Sequence, residues 1–153
     1  MKSKKRFGVS SKSKPHEPVV FFLDRSLGKR IIASALRGAG VEVRVHDDHF
    51  TPDAQDKDWL PAVGERGWIV LTKDRRIRYR AAELTALQKA HVRLFTLIAR
   101  DLQGPEMADI FIKALPAIEK FAARNSPPFI AKIARNARVS MWVRAPRRRS
   151  RDR

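Results

Sequence analysis

The chain has 153 residues, with 33 lysines and arginines against 16 aspartates and glutamates, 43% apolar residues and no cysteine. That length suits one domain, the apolar fraction is too high for a wholly disordered chain, and the lack of cysteine excludes a disulfide framework, a thiolate metal site and a cysteine nucleophile. The longest apolar run, Val19 to Leu23, falls far short of a membrane span of roughly 20 residues, and the basic start lacks the apolar stretch of a secretory signal, so a cytoplasmic protein with no membrane contact is expected.

The formal charge of +17 is unevenly placed. Residues 1–16 hold six basic residues and no acid, and residues 144–153 hold six arginines and one acid, leaving 21 basic and 15 acidic residues between them. Tails of this composition cannot bury enough apolar area to offset their ordering entropy. Residues 1–16 and 144–153 therefore read as basic disordered arms around a folded domain of residues 17–143. Nucleic acid is the favoured partner for such arms, because neutralising phosphates releases counterions.

Along the domain, VVFFL (19–23) reads as a β-strand. Asp24 and Ser26 follow as caps of a helix that carries Ile31, Ile32, Ala35 and Leu36 on one face and closes at Gly38 and Gly40. VEVRVH (41–46) alternates with period two, as a half-buried strand near a sheet edge does. A helix over Asp56 to Arg66 groups Trp59, Leu60 and Val63, ends at Gly67 and leads into WIVLT (68–72), an unbroken apolar run expected of a central strand buried on both faces. A basic segment, a helix over Ala81 to Lys89, the strand VRLFTLI (92–98) and a helix from Pro105 to Arg124 complete a β-α-β-α-β-α-β-α order. This alternation predicts a three-layer α-β-α domain around a mostly parallel sheet. After Pro127 and Pro128, FIAKI and RVSMWV flank Arg135 and Asn136, the pattern of a C-terminal β-hairpin added late to the fold, with Asn136 able to take a left-handed turn. Trp59, Trp68 and Trp142 occupy apolar positions and are expected in the core.

In an open parallel sheet, ligands bind at the carboxyl ends of the strands. Here those ends are acidic: Asp24 follows the first strand, Asp47 and Asp48 the second, Asp74 the third, and Asp101 lies just past the fourth. Asp58 joins them from the first turn of its helix, whose N-terminal end faces the same edge. A cluster of carboxylates suits a hard divalent cation with oxygen ligands, Mg2+ above all and Mn2+ as an alternative. Each aspartate alone also reads as a helix cap or a solvated loop residue. His46 and His49 form an HxxH spacing around two aspartates that would suit Zn2+, but loop histidines without cysteine or a second histidine pair are mostly surface residues. The run TKDRRIRYR sets Lys73, Arg75, Arg76, Arg78 and Arg80 around Asp74 and Tyr79. Cations for flanking phosphates and an aromatic for base stacking make it the expected nucleic-acid-binding segment.

FFLDRSLGKRIIASALRGAGVEV, with an aspartate closing the first strand, and DKDWLPAVGERGWIVLTKDRRIR, with an acid in the mid-domain helix followed by strand-Thr-x-Asp, together resemble the PIN-like nuclease superfamily and within it the VapC-type toxin-related domains. The resemblance covers roughly residues 20–100. It implies a Mg2+-dependent endoribonuclease hydrolysing RNA phosphodiester bonds, in which Asp24, Asp58 and Asp74 hold the metal, directly or through waters. It also implies a cognate antitoxin as partner and homodimer formation. Asp48 and Asp101 compete for the place of a fourth acid. A non-catalytic nucleic-acid- or antitoxin-binding module of the same fold is the main alternative. A receiver-like phosphoacceptor switch fits less well, because Arg25 follows Asp24 where such domains need paired acids, and Ala99-Arg100 follows the fourth strand where they need Ser or Thr.

Overall fold

The structure is a computed structural model that describes residues 19–51 and 53–144. The arm 1–16 and all but the first residue of the tail 144–153 lie outside the described residues. The elements run β1 (Val20–Leu23), α1 (Ile31–Gly38), β2 (Glu42–Val45), α2 (Asp56–Arg66), β3 (Ile69–Thr72), α3 (Ala81–Lys89), β4 (Arg93–Leu97), α4 (Gly104–Arg124), β5 (Phe129–Ile133) and β6 (Val139–Arg144). Short 3-10 turns lie at Arg25–Leu27, His46–Asp48 and Ile77–Tyr79.

Among the described residues the strands form one sheet in the order β2-β1-β3-β4-β5-β6, parallel from β2 to β5 and antiparallel between β5 and β6. Strand alternation divides the core in two. Phe21, Leu23, Ile69, Leu71, Phe95 and Phe129 point to one face, where Ile32, Leu36, Phe111 and Ile118 of α1 and α4 cover them. Phe22, Val70, Leu94 and Ile130 point to the other and meet Trp59, Leu60, Val63 and Leu87 of α2 and α3. The result is the expected three-layer α-β-α arrangement, with β3 buried along its whole length and β2 at an edge. Trp59 is buried, while Trp68 and Trp142 are half-buried against the same core.

Three expectations change. FIAKI does form a hairpin with the last strand, but it is no late addition: β5 pairs in parallel with β4 through all five residues and is almost wholly buried. The left-handed residue of that hairpin is Ala137 (φ 72°), with Asn136 supplying a side-chain acceptor for the Arg138 N–H at 3.1 Å. Asp24 and Ser26 do not start α1. They build the 3-10 turn at Arg25–Leu27, and α1 begins only at Ile31.

Gly64 explains how tightly α2 seats against the end of α3. A Cβ at this position would lie 2.2 Å from the Ala90 carbonyl oxygen and 2.8 Å from its Cβ. Backbone atoms cannot yield as a flexible side chain can. Gly64→Ala is therefore expected to destabilise the domain by about 1–3 kcal/mol, despite the better helix propensity of alanine, as read by urea denaturation. An unchanged or raised midpoint would show that α2 and α3 can move apart freely.

Candidate active site

The chain leaves β1 outward to β2 and returns across the opposite face to β3, so strand order switches between β1 and β3, where crevices open in sheets of this kind. Asp24 stands at the carboxyl end of β1 and Asp74 two residues beyond β3. Both line one cavity of about 620 Å3 together with Ser26, Trp59 and five cations, Arg25, Lys73, Arg75, Arg76 and Arg80.

Asp24 keeps extended backbone (φ −77°, ψ 175°) and caps the 3-10 turn. Its Oδ1 accepts from the Ser26 N–H at 2.9 Å and from the Ser26 hydroxyl. Its Oδ2 accepts from the Thr72 hydroxyl at 2.6 Å. Thr72 is fully buried, and its Oγ1 also accepts from the Asp74 N–H at 3.0 Å, while Ser26 Oγ accepts from the Lys73 N–H at 3.2 Å. Two hydroxyls thus tie the loop after β1 to the loop after β3. Asp74 Oδ1 accepts from the Arg76 N–H at 2.9 Å, an Asx turn that folds the basic segment back on itself. Its Oδ2 accepts from Arg80 Nη1 at 2.8 Å. The buried Thr96, register partner of Thr72 on β4, donates to the Asp74 carbonyl oxygen at 3.2 Å.

The other expected acids are not among the residues lining this cavity. Asp58 is exposed at the third position of α2. Its Oδ2 accepts from the Gln55 N–H at 3.1 Å as half of a capping box, and it is its neighbour Trp59 that reaches the cavity. Asp48 ends the 3-10 turn after β2, and Asp101 sits in a left-handed conformation (φ 62°) after β4; both are exposed. Among the described residues no three histidine, cysteine, aspartate or glutamate side chains gather as a metal-holding group. Of the nucleic-acid-binding set, Lys73, Arg75 and Arg76 line the cavity, Arg78 lies within the 3-10 turn Ile77–Tyr79, and Tyr79 is 70% exposed.

Of the HxxH pair, His49 is an exposed residue, as expected, and His46 is not. His46 is buried, with its ring packed against Phe22, Phe50 and Trp59. Its Nδ1 lies 3.3 Å from Asp47 Oδ1. His49 packs edge-on against Trp68 while remaining exposed, and partial desolvation holds its pKa below the ordinary histidine value, with Arg44 and Arg66 adding to that effect and Asp48 opposing it. His46 opens the 3-10 turn just past β2, and its ring belongs to the aromatic layer beside Trp59.

Ser26 and Thr96 belong to the site although composition and strand-end position did not single them out as site residues, and Arg80, expected only as one cation of the basic run, is a partner of Asp74. Spacing held part of the signal: Asp24-x-Ser26 and Thr72-x-Asp74 are both two-residue offsets at which hydroxyl and carboxylate side chains reach neighbouring backbone.

A three-layer α/β domain whose switch-point crevice is acidic at its centre and cationic around it defines the class. Residues 19–99 match a family model described as a PIN like domain, and the chain belongs to that family. The matched span contains Asp24, Asp58 and Asp74. Over 113 residues, 71% of this chain, it is 34% identical to a protein of Mycobacterium tuberculosis (strain ATCC 25618 / H37Rv) named "Putative ribonuclease VapC45", of which it covers 81%. No solved structure matches the chain. Among the described residues no helix is long and apolar enough to cross a membrane.

Proposed function

We propose that this protein is a divalent-metal-dependent endoribonuclease that hydrolyses RNA phosphodiester bonds, acting in the cytoplasm as the toxin of a toxin-antitoxin pair. The observation that carries the reading is the placement of Asp24 and Asp74 in one cavity among five cations, together with the ribonuclease name of the VapC-type relative.

The donor set fits a hard cation. Mg2+ is commonly bound through one or two carboxylates, with water and substrate phosphate completing its shell, and the crevice offers two carboxylates with no sulfur and no imidazole on its lining. Mn2+ would be accepted by the same oxygens. Asp58 is the third acid of the proposed set, and Asp48 and Asp101 are the candidates for a fourth. When bound, the cation supplies Lewis-acid polarisation of the scissile phosphate and a more acidic attacking water.

The remaining work falls to the chain. Ser26 and Thr72 hold the Asp24 carboxylate at a fixed angle, so it need not be ordered during the reaction. Lys73, Arg75, Arg76 and Arg78 bind phosphates flanking the cleaved bond, and Tyr79 stacks an unpaired base. A small antitoxin protein and a second copy of the chain are the proposed protein partners.

The test is cleavage of an RNA with single-stranded loops, with and without Mg2+, by the intact chain and by Asp24→Asn and Asp74→Asn. Mg2+-dependent cutting lost in both variants is the expected result. RNA binding without cutting under any metal would favour the non-catalytic module. Electrostatics supplies a second check. If three phosphates are neutralised on a single strand, raising salt from about 50 to about 200 mM weakens RNA binding by about 20-fold, as read by fluorescence anisotropy. A change below about threefold would mean that the cations around the cavity do not contact phosphates.

A further inference from the structure

Asp24 accepts from the Ser26 N–H and from the Ser26 and Thr72 hydroxyls, which orient its carboxylate. Asp74 Oδ2 faces a full cation, Arg80 Nη1 at 2.8 Å, inside the same cavity. A guanidinium and a divalent cation seek the same thing from a carboxylate oxygen, so each weakens the binding of the other there. Arg80 also has somewhere else to go. It sits where the 3-10 turn Ile77–Tyr79 passes into α3, and its long side chain is about one-third exposed. A phosphate in the cavity would offer a bidentate anion within its reach.

We propose that Arg80 is a transferable latch, bound to Asp74 Oδ2 until a substrate phosphate takes it over, so that RNA binding and metal binding at Asp74 strengthen each other. This rests on the ribonuclease reading above. The coupling is a linkage: RNA that draws Arg80 away raises metal affinity, and metal that displaces Arg80 raises RNA affinity by the same factor. The chemistry is thereby restricted to the moment when both are present. In the cleaving complex Arg80 touches substrate and counts as a catalytic residue that offsets charge on the phosphate.

A purely structural role makes the opposite prediction. If the ion pair only orients Asp74, removing Arg80 loosens the carboxylate and weakens metal binding. The experiment is Mn2+ binding, followed by electron paramagnetic resonance of free Mn2+, to the intact chain and to Arg80→Gln, without RNA and with a single-stranded 2′-O-methyl RNA hexamer. The latch predicts that Arg80→Gln binds Mn2+ about tenfold more tightly than the natural chain without RNA. It also predicts that the hexamer tightens Mn2+ binding to the natural chain by about tenfold, within the usual range of coupling between sites, and to Arg80→Gln by less than about twofold. Arg80→Lys, which keeps the charge, should restore part of the coupling. Arg75→Gln removes another cavity cation and separates the latch from the general field: an equal gain in affinity in that variant would overturn the proposal. Weaker Mn2+ binding in Arg80→Gln, or equal tightening by RNA in both proteins, would overturn it too while leaving the ribonuclease reading intact. No Mn2+ binding to any protein, even with RNA, would overturn the metal centre and the latch with it.

Discussion

Asp24→Asn and Asp74→Asn should each lower Mg2+-dependent RNA cleavage by more than about 100-fold with the fold retained. Loss of a group that only supports a metal ligand commonly costs about 10–100-fold, so loss of a proposed ligand should exceed that range. Asparagine keeps the shape of the side chain and one oxygen, so the Ser26 N–H can still be accepted at Asp24 and the Arg76 N–H at Asp74. What disappears is the negative charge offered to a cation and the second acceptor oxygen, which receives the Thr72 hydroxyl at Asp24 and Arg80 at Asp74. The measurement is single-turnover cleavage across a Mg2+ titration, with circular dichroism as the check on folding. If both variants cut at the natural rate while folded, the crevice between β1 and β3 is not the reaction centre.

Thr72→Val should produce the second largest effect and should act on both activity and stability. The replacement has almost the same shape and suits a strand. It removes the donor to Asp24 Oδ2 and the acceptor of the Asp74 N–H in one step. Because Thr72 is fully buried, water cannot readily take over either role. The expected cost is about 1–3 kcal/mol of stability for the unsatisfied groups and about 10–100-fold in cleavage for a mispositioned ligand. Thr96→Val, which loses one bond to the Asp74 carbonyl oxygen, should fall well short of both. Urea denaturation and a Mg2+ titration of cleavage would measure the two effects separately. A Thr72→Val protein as stable and active as the natural chain would mean that Asp24 is oriented without the Thr72 hydroxyl.

These expectations rest on residues that were readable in the sequence to different degrees. Asp24 and Asp74 could be picked out because each follows an apolar run that could only be a strand, and ligand crevices open at strand ends. Asp58 was equally visible as an acid in a first helical turn. Position alone could not say that its carboxylate would close a capping box with Gln55 while Trp59 reached the cavity. Arg80 stood in plain view within a run of five cations, but the run does not reveal that it pairs with Asp74, because that depends on how the 3-10 turn at Ile77–Tyr79 folds the segment back.

The sequence by itself determined the element order, the three layers and the acidic strand ends. Each of these follows from local periodicity: period two or an unbroken apolar run for strands, period 3.6 for helices, and polar residues where the chain turns. Only the tertiary structure decided which strands became neighbours. Placing β1 beside β3 joined two loops 48 residues apart through the Thr72 hydroxyl. It set Thr72 beside Thr96, packed His46 against Trp59, and made the first strand of the expected terminal hairpin the fifth parallel strand of the sheet. Such pairings depend on register and on the packing of both sheet faces at once, and no local window of sequence carries that information.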